Sequence, residues 1–207
     1  MNKFLMEANQ YLGRDVVGYF HADFHGPSHP ENPDFLYKFK NDPHHHWTQQ
    51  HLRYAINDLT RVLCIDLPEI LRQVKLVPLT VCVVPRAKSE DSYRPDQLLF
   101  RATVGEYARS TYGFQDGSKL IIRHTNTRTT HLRRPVDGFE NDGRMPYPGI
   151  AKNTCTFAPQ IRGRNILLVD DIYTRTVNID EDMAQALFEN GAASVVFYAI
   201  GNTPKKM

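Results

Sequence analysis

Residues 165–178 read Asn165-Ile166-Leu167-Leu168-Val169-Asp170-Asp171-Ile172-Tyr173-Thr174-Arg175-Thr176-Val177-Asn178. An unbroken aliphatic run without polar alternation describes a strand covered on both faces, as in the middle of a parallel sheet. It delivers two adjacent carboxylates to its carboxyl end, where open α/β sheets bind ligands. A Thr-rich turn follows. Ile179, Met183, Ala186 and Leu187 then mark a helix that Asn190-Gly191 stops. Backbone N–H groups in such a turn, with a helix N-terminus behind them, suit a phosphate. Carboxylates just before the turn can accept hydrogen bonds from neighbouring sugar hydroxyls, so the order acids, turn, helix fits a phosphorylated sugar. The same residues also read as an ordinary strand followed by a capped helix, since Asp and Thr are common caps.

The flanking sequence repeats this alternation. Ser194 to Ile200 reads as a last strand, and Leu79-Thr80-Val81-Cys82-Val83-Val84 as another buried one, stopped by Pro85. Asp96 to Ser110 predicts a helix and Lys119 to Arg123 a strand. Trp47 to Leu63 predicts a helix with Leu52, Ala55, Ile56, Leu59 and Leu63 on one face. A second, shorter helix is expected at Leu67–Val74, with Pro68 in its first turn. Gly18 to Pro43, rich in His, Pro, Asp and Asn, reads as irregular backbone. Within it Phe35 to Lys40 alternates apolar with basic residues like a short edge strand. The residues after Arg123 lack periodicity for long enough to suggest a functional loop. These elements predict a single α/β domain with a mostly parallel twisted sheet and helices on both faces. Residues 1–46 would form an N-terminal hood with an edge strand, and 47–207 the core, with a flexible loop at 123–152.

The 166–178 segment resembles the phosphoribosyl-pyrophosphate loop of type I phosphoribosyltransferases, in which an apolar run leads into Asp-Asp, two variable residues, Thr, a small residue, Gly, any residue, and Thr or Ser. Asp170, Asp171 and Thr174 match; Arg175 replaces the small hydroxyl residue, Thr176 the Gly, and Asn178 the terminal hydroxyl. The order of parts is similar to the competence-associated (ComF-type), amidophosphoribosyltransferase-like branch. There a Lys-bearing edge strand precedes a helix, as Phe39-Lys40 does, and a buried strand ending in Pro leads to a pyrophosphate loop, as Val83 to Lys88 does. Arg94 and Gln97 before Leu98-Leu99, and a basic segment from Arg123 to Phe139, continue the likeness. The cysteine-rich zinc segment that often starts that branch is absent.

The resemblance implies a type I phosphoribosyltransferase fold and a Mg²⁺-dependent transferase that displaces pyrophosphate from C1 with a nitrogen nucleophile. Asp170 and Asp171 would hold the ribose hydroxyls, and Thr174, Arg175, Thr176, Val177 and Asn178 the 5′-phosphate. Arg86, Ala87 and Lys88 would meet the pyrophosphate with the metal. Arg123, Arg128, Arg133 and Arg134 would belong to a lid that shields the reacting centre from water. Thr176 departs from the pattern, and if its position needs φ > 0 a β-branched residue there costs ~1–2 kcal/mol. A second reading is therefore a catalytically silent binder of a nucleotide or phosphoribosyl ligand, acting in regulation, a toxin–antitoxin pair or phage defence. In a third, the Arg123–Arg134 patch binds nucleic acid. A homodimer and a protein partner stay open.

Composition narrows the class. A net charge of +2 over 207 residues is no electrostatic magnet for nucleic acid or membrane as a whole. Cys64, Cys82 and Cys155, odd in number and widely spaced, argue against a disulfide framework or a cysteine zinc site and for a reducing, cytoplasmic setting. No run approaches transmembrane length, and the first residues lack the sustained apolar run of a signal peptide. Histidines crowd the N-terminal quarter at His21, His25, His29, His44, His45, His46 and His51. Pro27 and Pro30 forbid a helix that would align the first three. His44, His45 and His46 with His51 could supply metal ligands, but no carboxylate-rich or cysteine set accompanies them, so no metal ligand is assigned and surface or base-contacting roles are expected.

Overall fold

The computed structural model describes residues 1–26, 29–41, 46–129, 141, 143 and 151–204. Strands β1 (Asn2–Met6) and β2 (Val16–Asp23) open the chain, followed by helices α1 (Phe35–Lys40) and α2 (Gln49–Val74). Next come β3 (Leu79–Val83), α3 (Leu99–Ser110), β4 (Phe114–Asp116) and β5 (Ile121–Arg123). Then follow α4 (Ala151–Thr154), β6 (Cys155–Phe157), β7 (Asn165–Tyr173), α5 (Ile179–Glu189) and β8 (Ser194–Asn202).

Six strands pair in the order β1-β2-β8-β7-β3-β4, while β5 and β6 form a separate ribbon. All neighbours in the main sheet are parallel except β1, which runs antiparallel along β2. This is the mostly parallel α/β sheet that the alternation predicts, and it is consistent with a type I phosphoribosyltransferase-like fold. Successive residues of a strand face opposite sides. Leu167 and Val169 accordingly pack with Leu59, Leu63 and Val104 beneath α2 and α3, while Ile166 and Leu168 pack with Met183 and Leu187 of α5. Both faces of β7 are thus dry, which is why its aliphatic run is continuous.

Several expectations are corrected. Phe35–Lys40 is a helix, not an edge strand: Phe35, Leu36 and Phe39 are buried, a helical rather than a two-residue spacing. Two helices expected on either side of residue 65 are one, α2, with Pro68 inside it. The apolar stripe Leu59, Leu63, Leu67, Ile70 runs through the proline without a break, and its burial outweighs the lost backbone bond. The predicted strand at Lys119–Arg123 is real in part, but as β5 it joins the ribbon, and the short β4 takes the sheet position instead. Residues 1–23, with no strand predicted, supply β1 and β2 to the main sheet, so the expected hood is partly sheet. Gly18 makes this pairing feasible, because a Cβ there would lie 2.4 Å from ring atoms of Phe4, the residue opposite it on the adjacent β1. Among the described residues, no helix is long and apolar enough to cross a membrane.

Candidate functional site

β7 carries Asp170 and Asp171 to the carboxyl edge of the sheet, between β8 and β3. Both side chains fold back on local backbone: Asp171 N donates to Asp170 Oδ1 at 2.7 Å, and Ile172 N to Asp171 Oδ1 at 2.8 Å. Lys40 Nζ, at the end of α1, forms an ion pair with Asp171 Oδ2. Lys40 was singled out in the sequence only through the resemblance, and the helical turn of α1 is what aims it here.

The first turn of α5 places Asp180, Glu181 and Asp182 behind these residues, all of them buried. Carboxylates complement a helix N-terminus, yet three in one buried turn crowd one another. Burial first, and the neighbouring Asp171 charge second, push Asp170 up to about 7, against the pull of a hydrogen bond with Asp180 and of Lys40. Burial and the Asp170 charge likewise raise Asp180 well above the carboxylate range. Burial and mutual repulsion thus both favour a proton on this pair over two bare charges. Glu181 is raised by burial, while Tyr173 Oη donates to its Oε1 at 2.7 Å. Asp180 Oδ1 and Glu181 Oε2 are buried without a hydrogen-bond partner among the described residues. The acidic turn was legible as sequence, but its enclosure was not, because Asp and Glu in a first turn ordinarily face water.

Between the acids and α5 lies the turn expected to hold a phosphate. Val177 N donates to Thr174 O at 2.9 Å, which closes residues 174–177 into a tight turn. Thr174 Oγ1 lies 3.0 Å from Thr203 Oγ1. Arg175 extends to Glu7 beyond β1 rather than over the turn. Among the described residues, the non-glycine positions with positive φ are Asn41, Lys75 and Asn178. The conditional expectation of strain at Thr176 is therefore overturned: the left-handed residue is Asn178, at φ 57, just before α5.

β3 runs beside β7, with Val84 N bonded to Val169 O at 2.9 Å, so residues 85–88 leave the sheet next to the carboxylates. The Arg86 guanidinium is engaged by backbone: it donates to Gln97 O at 2.7 Å, Lys40 O at 3.0 Å and Phe39 O at 3.3 Å, and stacks on Tyr93. Ala87 O accepts from Thr127 N and Oγ1, and Lys88 N donates to the Tyr93 hydroxyl. Arg123 is buried and braces this turn, donating to Arg86 O and Thr154 Oγ1 at 2.7 Å each. Arg128 is exposed and reaches Gly143 O, whereas Arg133 and Arg134 lie outside the described residues. A solvent-open recess adjoins the turn, its wall apolar at Val84, Pro85, Leu98 and Phe100 and charged at Arg86, Lys88, Glu90, Arg101 and Arg123. Glu90 pairs with Arg101 there and offsets part of the positive charge.

A site that sequence reading missed sits deeper. Asp66 of α2, fully buried, has His21 Nδ1 at 2.9 Å and accepts from the Tyr198 hydroxyl at 2.7 Å. Of the other histidines, His51 lies in the first turn of α2, its N–H donating at 3.3 Å to Oγ1 of the capping Thr48 and its Nδ1 3.0 Å from the same oxygen, and His44 and His45 lie outside the described residues. No protein-family model matches this chain, and no curated protein matches it.

Proposed function

We propose that the carboxyl edge of the sheet binds a 5-phosphorylated ribose, with phosphoribosyl pyrophosphate the ligand and phosphoribosyl transfer to a nitrogen nucleophile the reaction. The observation that supports this reading is the direct succession, in the last residues of β7 and just beyond, of two carboxylates, a closed turn and the start of α5. Asp170 and Asp171 would accept the ribose hydroxyls, and the Thr174–Asn178 turn would hold the 5′-phosphate. Lys40 stands where it could leave Asp171 for an anionic ligand. Transfer breaks the C1–O bond to pyrophosphate and forms a C1–N bond, and the residues act by positioning and charge. Asp170 and Asp171 are hard oxygen donors of the type Mg²⁺ takes alongside ligand phosphates. When bound, the ion would neutralise charge on the departing pyrophosphate. Three unpaired cysteines accord with a reducing, cytoplasmic location.

One observation favours a second reading, a silent phosphoribosyl or nucleotide binder. The Arg86 guanidinium, expected on the pyrophosphate, is already engaged by three carbonyls. The nucleic-acid reading loses part of its patch, since Arg123 is buried. Calorimetry with phosphoribosyl pyrophosphate and Mg²⁺ tests ligand binding. The Asp170→Asn/Asp171→Asn variant should bind at least ~10-fold more weakly, about 1.4 kcal/mol. No binding by the parent, or equal binding by a folded double variant, would remove the proposal. Pyrophosphate release with a panel of nitrogen bases then separates transferase from silent binder.

A further inference from the structure

Beyond β2 the chain turns at Gly26, which takes φ +98, and a single side chain organises the turn. Asn32 is buried; its Oδ1 accepts from His25 N at 2.8 Å, and its Nδ2 donates to Gly26 O at 2.5 Å and contacts the Tyr37 hydroxyl at 3.3 Å. Its backbone N–H closes onto His29 O at 3.1 Å. The result brings the His25 and His29 rings together, centroids 4.4 Å apart, with Glu31 N reaching His29 Nδ1 at 3.3 Å. One ligand atom from each of His25, His29 and Glu31 lies within 4.8 Å of the other two.

We propose that His25, His29 and Glu31 bind one divalent transition-metal ion, of the class that Zn²⁺ represents. Two imidazoles and one carboxylate are a donor set for such ions rather than for Mg²⁺ or Ca²⁺, which favour all-oxygen sites. Donors about 2.0–2.1 Å from a tetrahedral ion sit roughly 3.3 Å apart, so donors within 4.8 Å of one another need draw together by about 1.5 Å at most, the scale of a small side-chain rotation. His25 and Glu31 are exposed, while Asn32 holds the backbone at His25 and Gly26. Three protein ligands leave a fourth position for water or a small anion. The proline-broken spacing that precludes a shared helix face is thus no obstacle, since a turn supplies the convergence. This site is independent of the ligand proposed at the end of β7.

The test uses the full chain, stripped with chelator and titrated with Zn²⁺ against a chromophoric competitor, with Co²⁺ absorption as a spectroscopic readout. One equivalent should bind, and Co²⁺ should give the visible bands of a low-coordinate nitrogen–oxygen site. His25→Ala/His29→Ala should lower affinity at least ~100-fold, and Glu31→Gln at least ~10-fold, with unchanged circular dichroism. Asn32→Ala, which touches no metal, should lower it ~10- to 100-fold by releasing the ligand backbone. A His44→Ala/His45→Ala/His46→Ala variant should bind like the parent. Loss of binding in that control, equal binding by the His25/His29 variant, or no stoichiometric binding by the parent would each overturn the proposal.

Discussion

At Asn178, the residue that leads into α5, the backbone adopts a left-handed conformation, and the side chain contacts Asn9 at 3.4 Å. Asn tolerates this region better than other non-glycine residues, whereas a β-branched side chain there costs ~1–2 kcal/mol. Asn178→Val should therefore destabilise by that amount in urea unfolding, and Asn178→Gly by less than ~1 kcal/mol. Thr176→Gly should give no gain, because Thr176 is not at positive φ. Asp170 and Asp180 make a second prediction, with a definite sign. Their carboxyls are raised in the folded chain, so the fold binds protons that the unfolded chain has released. Their contribution to stability is full below the ordinary carboxylate range and is lost as pH rises through about 7. The melting temperature should fall between about pH 5 and about pH 8, and Asp180→Asn, which keeps a donor for Asp170 without a titrating proton, should flatten that fall.

Elements with two dry faces or a long apolar stripe were legible in the sequence; short or solvent-edged ones were not. β7, β8 and β3 announce themselves because burial on both sides removes polar residues. α1 misleads because Phe35, Tyr37 and Phe39 alternate with Lys38 and Lys40, while the packing against α2 selects Phe35, Leu36 and Phe39. β2 hides behind Gly18 and His21, whose reasons for being there, the Phe4 ring and buried Asp66, are non-local. The Asp-Asp pair of the candidate site was readable from its place after an aliphatic run; the capture of Arg86 depends on the carbonyls of Phe39 and Lys40, far away in sequence. Pro68 is exposed within α2, and Pro68→Ala should restore a backbone bond and raise stability by ~1–3 kcal/mol in urea unfolding. Gly18→Ala should lower it by ~1–3 kcal/mol, since Phe4 is held among Phe20, Tyr173 and Phe197 and has little room to retreat.

For the molecule as a whole, a ligand that binds only the folded sheet edge must stabilise everything packed on that sheet. Phosphoribosyl pyrophosphate with Mg²⁺ at ~100 times its Kd should raise unfolding free energy by ~2.7 kcal/mol. A thermal shift should vanish in the Asp170→Asn/Asp171→Asn variant and survive in Pro68→Ala. The strand order has a different bearing, on how the chain is made. β2 pairs with β8, and the Asn202 side chain bonds Asp23 at a separation of 179 residues. At a ribosomal pace of 5–20 residues per second, β2 emerges roughly 10 to 35 seconds before its partner exists. Throughout that interval a nascent chain exposes the β1 and β2 segments without the strand that β2 needs on its other edge, open to chaperones and to neighbouring copies on the same messenger.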